Sequence, residues 1–541
     1  MTPSSPLSKR SNKKALFIAH IILLCVGGVF LLSCNLHQNI WFDESYSVAL
    51  ARTGFLDLIR DATEDVHPLL YYILLKLWSL IAGTSIVSLR IFSVIGAQAL
   101  AILGITHIRR DFGAWTGFWY SFIIYALPTT VRYAGEIRMY SWLPFFATLT
   151  AIYAYRLYRT QKLKDYILFV LMSLCTAYTH YFGLVFVFIV NAMLLIAIFI
   201  GRKKKIPYLL AALSQLVLYI PGFYVLWKQL QSVGSGFWIH ITYPNVLLDT
   251  LAFFFVGDTP DGNTIFPITQ TARLLCTILG GIVFAVILAV MIILYIQSKK
   301  QKATKAPNLT EEKQIPTNDQ TEIDKNKNDL TAMILAFSLC IFVVATGLLA
   351  SAIMPKSDIY YVRYIMVFLG LFAFVLASLI SKIRFSIIQG IIAIFLVTLL
   401  IARTIPLYQT VYNKECDALE QFVEQNIGED DLVAGADIVL LGIYAEKITD
   451  RQVYLCTQDQ WYGENHFIAF ACYQPQLNFA KDIRDLPIQS GQTIWVLDND
   501  QLTLTQKLMQ AFDLSYLRDP QTIYLPYHSL HLTMVPLQAH S

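Results

Sequence analysis

The chain has 541 residues, of which 56% are hydrophobic and 14% charged, with a net charge of +4. Soluble domains carry about 25% charged residues, so this balance excludes an ordinary soluble enzyme and points to a polytopic membrane protein. The basic residues sit between apolar runs and form no groove interleaved with aromatics, so nucleic acid is not an expected partner. The eight cysteines are scattered singly without a CxxC pair, which argues against a zinc or redox centre.

In chain order, Lys9, Arg10, Lys13 and Lys14 precede an apolar run from about Ala15 to Leu32, read as a retained first span entering from the cytoplasm. An outside loop, 34–87, follows and opens with Trp41-Phe42-Asp43-Glu44-Ser45-Tyr46. Adjacent acids on a helix point about 100° apart. One can therefore act as a base or metal ligand while the other caps or orients; an exposed loop, or an N-cap for a helix beginning at Ser45, is the bland alternative. His67-Pro68 reads as a helix start with proline in the first turn, where an imidazole beside the helix N-terminus suits a phosphate. A solvent histidine at a simple helix start explains the pair equally well. The apolar run from Pro68 to Ala82 is about fifteen residues, short of the roughly 20 that a span needs, so it is expected to lie along the interface.

With that run interfacial, later spans fall near 88–108, 113–130, 139–157, 165–182, 183–200, 207–226, 271–297, 330–352, 361–380 and 385–405. Every basic cluster, from Arg109-Arg110 to Lys382 with Arg384, then lies inside, and about eleven spans put the C-terminal region outside. The stretch 298–329 reads as a flexible cytoplasmic linker. Pro244 to Val256 is apolar but too short to span, and reads as a second interfacial segment.

Arg132, Glu136, Arg138 and Tyr140 share an outside turn, where arginine is disfavoured and asks for an anion. Glu136 can neutralise one arginine and leave the other for a phosphate or lipid headgroup, whose oxygens match a guanidinium fork; headgroup snorkelling is the alternative. Arg363-Tyr364 opens a later span on the same face, and His180, at the outer end of another, is a supporting candidate for the same cavity. Beyond 405, helix and strand signals alternate: helices over 416–425, 438–447 and 502–511, strands at 431–435, 453–456 and 493–497. They predict a small α/β domain, 406–541, with a mostly parallel sheet. Cys456 and Cys472 can pair there if it lies outside the cell.

Taken together these residues resemble the GT-C superfamily of polytopic glycosyltransferases. Within it they are most similar to the protein mannosyltransferase- and aminoarabinose transferase-like group, glycosyltransferase family 39, with its Rgt-like domain. The matching pieces are Trp41 to Ser47, His67-Pro68-Leu69-Leu70-Tyr71-Tyr72, Leu89-Arg90-Ile91-Phe92-Ser93, Glu136 to Tyr140, Phe237-Trp238-Ile239 and Arg363-Tyr364. Leu69 departs from the group, which usually has a second proline there. The resemblance implies a mainly α, GT-C-like transmembrane bundle over 1–405, with interfacial helices in the first outside loop and the extracytoplasmic α/β domain appended.

It further implies an inverting transfer of a monosaccharide from a polyprenyl-phosphate donor to an extracytoplasmic lipid, glycan or protein acceptor. Asp43 would be the base with Glu44 beside it. His67, Arg132, Arg138 and Arg363 would hold the donor phosphate, supported by Glu136, Tyr140, Tyr364 and His180. A divalent metal, bound by Asp43 if at all, is left open. The competing classes are a transporter or lipid flippase, which would keep its charges near the bilayer midplane in repeated halves, a glycan ligase or oligosaccharyltransferase, which would carry larger soluble regions, and a receptor-like binding module.

Overall fold

The computed structural model describes residues 6–233, 239, 241–257, 269–305, 318–353, 358–412, 415–435, 453–456, 477–480, 482–525 and 530–540. The helices in the first part are α1 Pro6–Asn35, α2 Phe42–Arg52, α3 Phe55–Glu64, α4 Leu70–Ala82, α5 Ile86–Leu103, α6 Arg109–Phe112, α7 Ala114–Ala126, α8 Pro128–Ala134 and α9 Trp142–Thr160. They continue with α10 Leu163–Thr179, α11 Tyr181–Ile200, α12 Lys205–Leu218, α13 Ile220–Val233, α14 Asn245–Val256, α15 Gln270–Lys305, α16 Asn318–Ile353, α17 Leu369–Ile380 and α18 Ser386–Val411. A π-turn, Gly104–Ile108, joins α5 to α6, and a 3-10 turn, Val362–Phe368, leads into α17.

Local chemistry sets several of these starts. Ser85 caps α5 by accepting from the Ser88 N–H. Pro128 opens α8, where its missing N–H costs nothing. The helix expected at His67-Pro68 begins at Leu70 instead, so His67 precedes α4 rather than lying in its first turn. In the middle of the bundle Gly104 and Gly117 bring two helices into backbone contact; a Cβ on Gly117 would meet the Gly104 carbonyl.

Among the described residues, seven helices are long and apolar enough to cross a membrane, or eight if the pair α12–α13, bent by 48°, counts as one. This is fewer than the eleven expected spans. The shortfall falls on 113–130, 139–157 and 165–182. There α7 has 13 residues and stops before Pro128, α9 carries Arg156 and Arg159, and α10 has 17 residues. The remaining expected spans coincide with long apolar helices, and the last runs on to Val411 through Pro406.

The stretch 298–329 is not wholly irregular: α15 extends through it to Lys305 and α16 begins at Asn318, while 306–317 lie outside the described residues. The short apolar stretch ending at Val256 forms α14, which buries Phe253, Phe254 and Phe255, Phe254 stacking on Phe372 of α17, and leaves Leu247 and Leu248 exposed on its other face.

The C-terminal region adds α19 Glu415–Asn426, α20 Thr503–Ala511 and strands β1 Leu432–Gly435, β2 Val453–Cys456, β3 Leu477–Ala480, β4 Thr493–Asp498, β5 Leu514–Tyr516, β6 Gln521–Leu525 and β7 Leu530–Ala539. Its sheet runs β3-β2-β1-β4 in parallel, after which β7 pairs antiparallel with β4, β5 and β6. The expected mostly parallel sheet is therefore half of a mixed one; the antiparallel half comes from the unforeseen hairpin of β6 and β7. Cys456 is a free, buried thiol on β2; its expected partner Cys472, the helix expected over 438–447, and Phe237-Trp238 lie outside the described residues.

Candidate active site

The two acids at the start of α2 face different surroundings. Glu44 is fully buried, and its carboxylate takes four donors. Arg90, on α5, meets it fork to fork, with Nη1 to Oε1 at 2.5 Å and Nη2 to Oε2 at 3.0 Å. The Ile137 N–H donates to Oε1 (2.9 Å), and the Trp41 N–H donates to Oε2 (3.2 Å), closing the first turn of α2. Arg90, itself 1% exposed, donates its remaining N–H groups to the carbonyls of His37, Gly135 and Asn39. Gly135 has to be glycine here, since a Cβ would collide with Asn35, whose side-chain oxygen takes the Gly135 N–H at 3.1 Å. One buried ion pair thus ties the first loop to α5 and to the turn after α8.

Asp43 turns the other way, into a cluster of cations and aromatics. Its Oδ2 lies 2.9 Å from Arg363 Nη2, with the two side chains 16% and 8% exposed. The contact lacks hydrogen-bond geometry, so Oδ2 keeps unused acceptor capacity. Arg363 stacks over the rings of Trp41, Tyr140 and Tyr361, with its central carbon 5.5, 5.4 and 5.0 Å from their centroids. From the opposite side Arg138 donates to the Asp43 carbonyl (3.3 Å) and to Tyr72 Oη (2.9 Å), and lies 3.3 Å from His67 Nδ1. Asp65 completes this side, its Oδ2 3.3 Å from His67 Nδ1 and 3.4 Å from the Tyr72 hydroxyl that donates to it. Gln229 of α13 pins the loop by donating to the carbonyls of Ala62 and His67, both at 3.0 Å.

His180 stands over the same space, its ring centroid 5.7 Å from that of His67 and 4.7 Å from that of Tyr364. Its Nδ1 accepts the Phe182 N–H at the start of α11 (3.0 Å), so its proton resides on Nε2. Among the described residues that buried Nε2–H has no protein partner, nor have the Tyr140 hydroxyl, the Arg138 Nε and the Arg363 Nε. A buried polar atom without a partner is costly, and several of those among the described residues stand around this one acid. On the flank, Arg132 and Glu136 pair across one turn at 2.8 Å, which leaves Arg138 to the cluster.

Burial pushes the Asp43 carboxyl up, but Arg363, Arg138 and His67 outweigh it and hold the acid below its ordinary range. Burial, reinforced by Arg138, lowers His67 in spite of Asp65 and Asp43, so its resting form is neutral. Burial also raises Glu136 to about 7 against the pull of Arg132 and Arg363.

The structure therefore brings Asp43, His67, Arg138, Arg363, Tyr140, Tyr364 and His180 together, sets Arg132 and Glu136 beside them, and turns Glu44 away. Two residues of the site had no role assigned from the sequence, Arg90 being noted only within a matching motif. Arg90 was legible as a lone charge inside an apolar run, an expensive placement that asks for a buried partner. Asp65, two positions before His67, carried no signal that distinguishes it from a loop acid. A divalent metal does not fit: the groups beside Asp43 are guanidinium cations, and no three His, Cys, Asp or Glu side chains gather to ligate one among the described residues.

No family model matches the chain, and no curated protein matches it. Among solved structures it is similar to ArnT from Cupriavidus metallidurans in the apo state, at 12% identity and a TM-score of 0.48, with 97% of this chain and 98% of that chain covered. The same organism's ArnT bound to undecaprenyl phosphate is 13% identical, with a TM-score of 0.49 and coverage of 95% and 97%. The Archaeoglobus fulgidus oligosaccharyltransferase in complex with Zn and sulfate is 11% identical, with a TM-score of 0.40 over 89% of this chain and 68% of that one.

Proposed function

We propose that this chain is an integral membrane glycosyltransferase of the GT-C type that moves a monosaccharide from a polyprenyl-phosphate donor to an extracytoplasmic acceptor. The observation that carries the reading is Asp43 Oδ2, buried, ion-paired with Arg363 and still able to accept a proton, with Arg138 and His67 on its other side. Placing this face outside the cell rests on the basic clusters at the opposite loops.

In the proposed step the acceptor hydroxyl oxygen attacks the anomeric carbon and its proton passes to Asp43 Oδ2. The bond from that carbon to the phosphate oxygen breaks, and the polyprenyl phosphate leaves with one more negative charge. A single in-line displacement inverts the anomeric centre. An acid held below its usual range is a weak base, which suffices because the hydroxyl proton becomes acidic only as the new bond forms. Arg138 and Arg363 face the departing phosphate, and the His180 Nε2–H and the Tyr140 hydroxyl supply neutral donors. Arg138 and Arg363 are balanced by Asp43 and Asp65, so an arriving phosphate makes the cluster negative and favours a proton on His67. Arg132, Glu136 and Tyr364 line the flank, and Glu44, saturated by Arg90, positions Asp43.

The test is mass spectrometry of cell-envelope glycolipids and glycoproteins with and without the protein. It is paired with transfer from a radiolabelled polyprenyl-phosphate monosaccharide by the purified enzyme. Loss of one sugar from one acceptor class, restored by wild type and not by Asp43→Asn, is expected. An unchanged envelope together with no transfer from any such donor would refute the reading.

A further inference from the structure

A second polar feature lies apart from the Asp43 cluster. A cavity of about 200 Å³ opens between the start of α8, the end of α14, the start of α15 and α18, lined in part by Pro128, Gly257, Thr269, Arg403, Leu407 and Thr410. Arg403 spends its Nε on the Val256 carbonyl at 2.6 Å, closing the end of α14. Its two terminal nitrogens have no protein partner among the described residues, and no carboxylate pairs with it there. This is an unusual place for a bare guanidinium. Its neighbours along α18, Ile401, Ile405 and Tyr408, are 51%, 53% and 47% exposed and form an apolar surface suited to lipid. A cation in such a span needs an anion or a route to water.

The geometry offers both. Arg403 lies eight residues, about 12 Å of helix, before Val411, whose carbonyl takes the Asn39 side-chain N–H at 3.0 Å. The cavity, lined from Arg403 to Thr410, thus lies within about two turns of the end of the bundle that carries Asp43. Thr269 and Thr410 line the same space, the Thr269 hydroxyl accepting the Ala272 N–H at the start of α15 and the Thr410 hydroxyl donating to the Pro406 carbonyl.

We propose that this cavity binds the phosphate headgroup of an anionic membrane lipid, gripped by the Arg403 terminal nitrogens, with acyl chains along the apolar face of α18. The headgroup would brace α8, and hence the Arg132–Glu136 pair that α8 leads into, against α14 and α18. The site is independent of the proposed transfer chemistry.

Native mass spectrometry of the full chain, with phosphatidylglycerol as the probe and phosphatidylcholine as the neutral control, tests this. Wild type is expected to retain phosphatidylglycerol selectively, Arg403→Ala to retain about tenfold less, and Arg403→Lys an intermediate amount. Arg403 also caps α14, so Thr410→Met, which fills the cavity and spares the guanidinium, should lower retention as well. Equal retention in Arg403→Ala and wild type would overturn the proposal. So would an equal loss in Lys382→Ala at the opposite end of the bundle, which would mean nonspecific charge attraction. Displacement by inorganic phosphate alone would also overturn it, since the site would then bind free phosphate.

Discussion

Asp43 and Glu44 are neighbours on one helix, yet they sit in opposite environments. Around Glu44 every donor and acceptor is spoken for: Arg90, Ile137 and Trp41 saturate the carboxylate, and Arg90 uses its other N–H groups on three carbonyls. Around Asp43 the balance is left open, with an ion pair lacking hydrogen-bond geometry and orphaned atoms on Arg138, Arg363, Tyr140 and His180. A saturated buried network rigidifies, whereas an unsaturated one stores polar capacity for a ligand. The difference teaches that an acid's role is set by what remains unused around it, and that a saturated half can hold an unsaturated half in place.

The sharpest way to break this contrast is to neutralise each acid in turn. Asp43→Asn should lower transfer by about 10³-fold, in the range of a lost general base, while leaving the melting transition within a few degrees of wild type. Near-normal turnover in that variant would remove Asp43 as the base. On the other side, Arg90→Met leaves the Glu44 charge buried and alone, at a cost of about 3–5 kcal/mol in stability. Thermal unfolding in detergent reads this, and the double variant Arg90→Met with Glu44→Gln should recover part of the loss. A single variant as stable as wild type would mean that the pair holds nothing together.

A smaller effect is expected at the phosphate side. Arg138→Ala should weaken donor binding by about ten- to a hundredfold, the loss of one or two charge-assisted bonds, and acceptor binding by much less. Equal donor affinity in a binding assay on the purified variant would take Arg138 out of the phosphate site.

The last effect is a pH dependence. Glu136 is raised from 4.5 to about 7, so between those values the folded state holds a proton that the unfolded state has released. Stability should therefore fall as pH rises from about 4.5 to 7 and level off above it, by a few kcal/mol at most. Glu136→Gln should flatten that slope, and a slope that survives in the variant would assign it to another group. Asp43, held below its ordinary range, predicts no loss of transfer near pH 5 from its own protonation.

The cationic and acidic residues of the cluster were legible as types in unusual places, arginines and paired acids on the face opposite the basic loops. Many span starts were legible within about three residues from hydropathy, but α2 begins at Phe42 rather than Ser45 and α16 at Asn318, well before the expected 330. The span count was less so: α7, α9 and α10 are helical as expected, but helices enclosed by others need neither the length nor the uniform apolarity of a lipid-facing span. The antiparallel half of the C-terminal sheet was missed because no strand was expected beyond 497, whereas β5, β6 and β7 all follow α20.

Composition and charge order by themselves determined that this chain belongs in a membrane, roughly where its helices run, and that Asp43, His67, Arg138 and Arg363 deserved notice. Periodicity and hydropathy act over a turn or a span, so they survive in the linear order of residues. Only the tertiary structure decided that Arg90 claims Glu44 from 46 positions away, and that Arg363 reaches Asp43 across most of the bundle. Saturation of a carboxylate depends on which distant donors arrive within about 3 Å of it, a distance that packing alone sets.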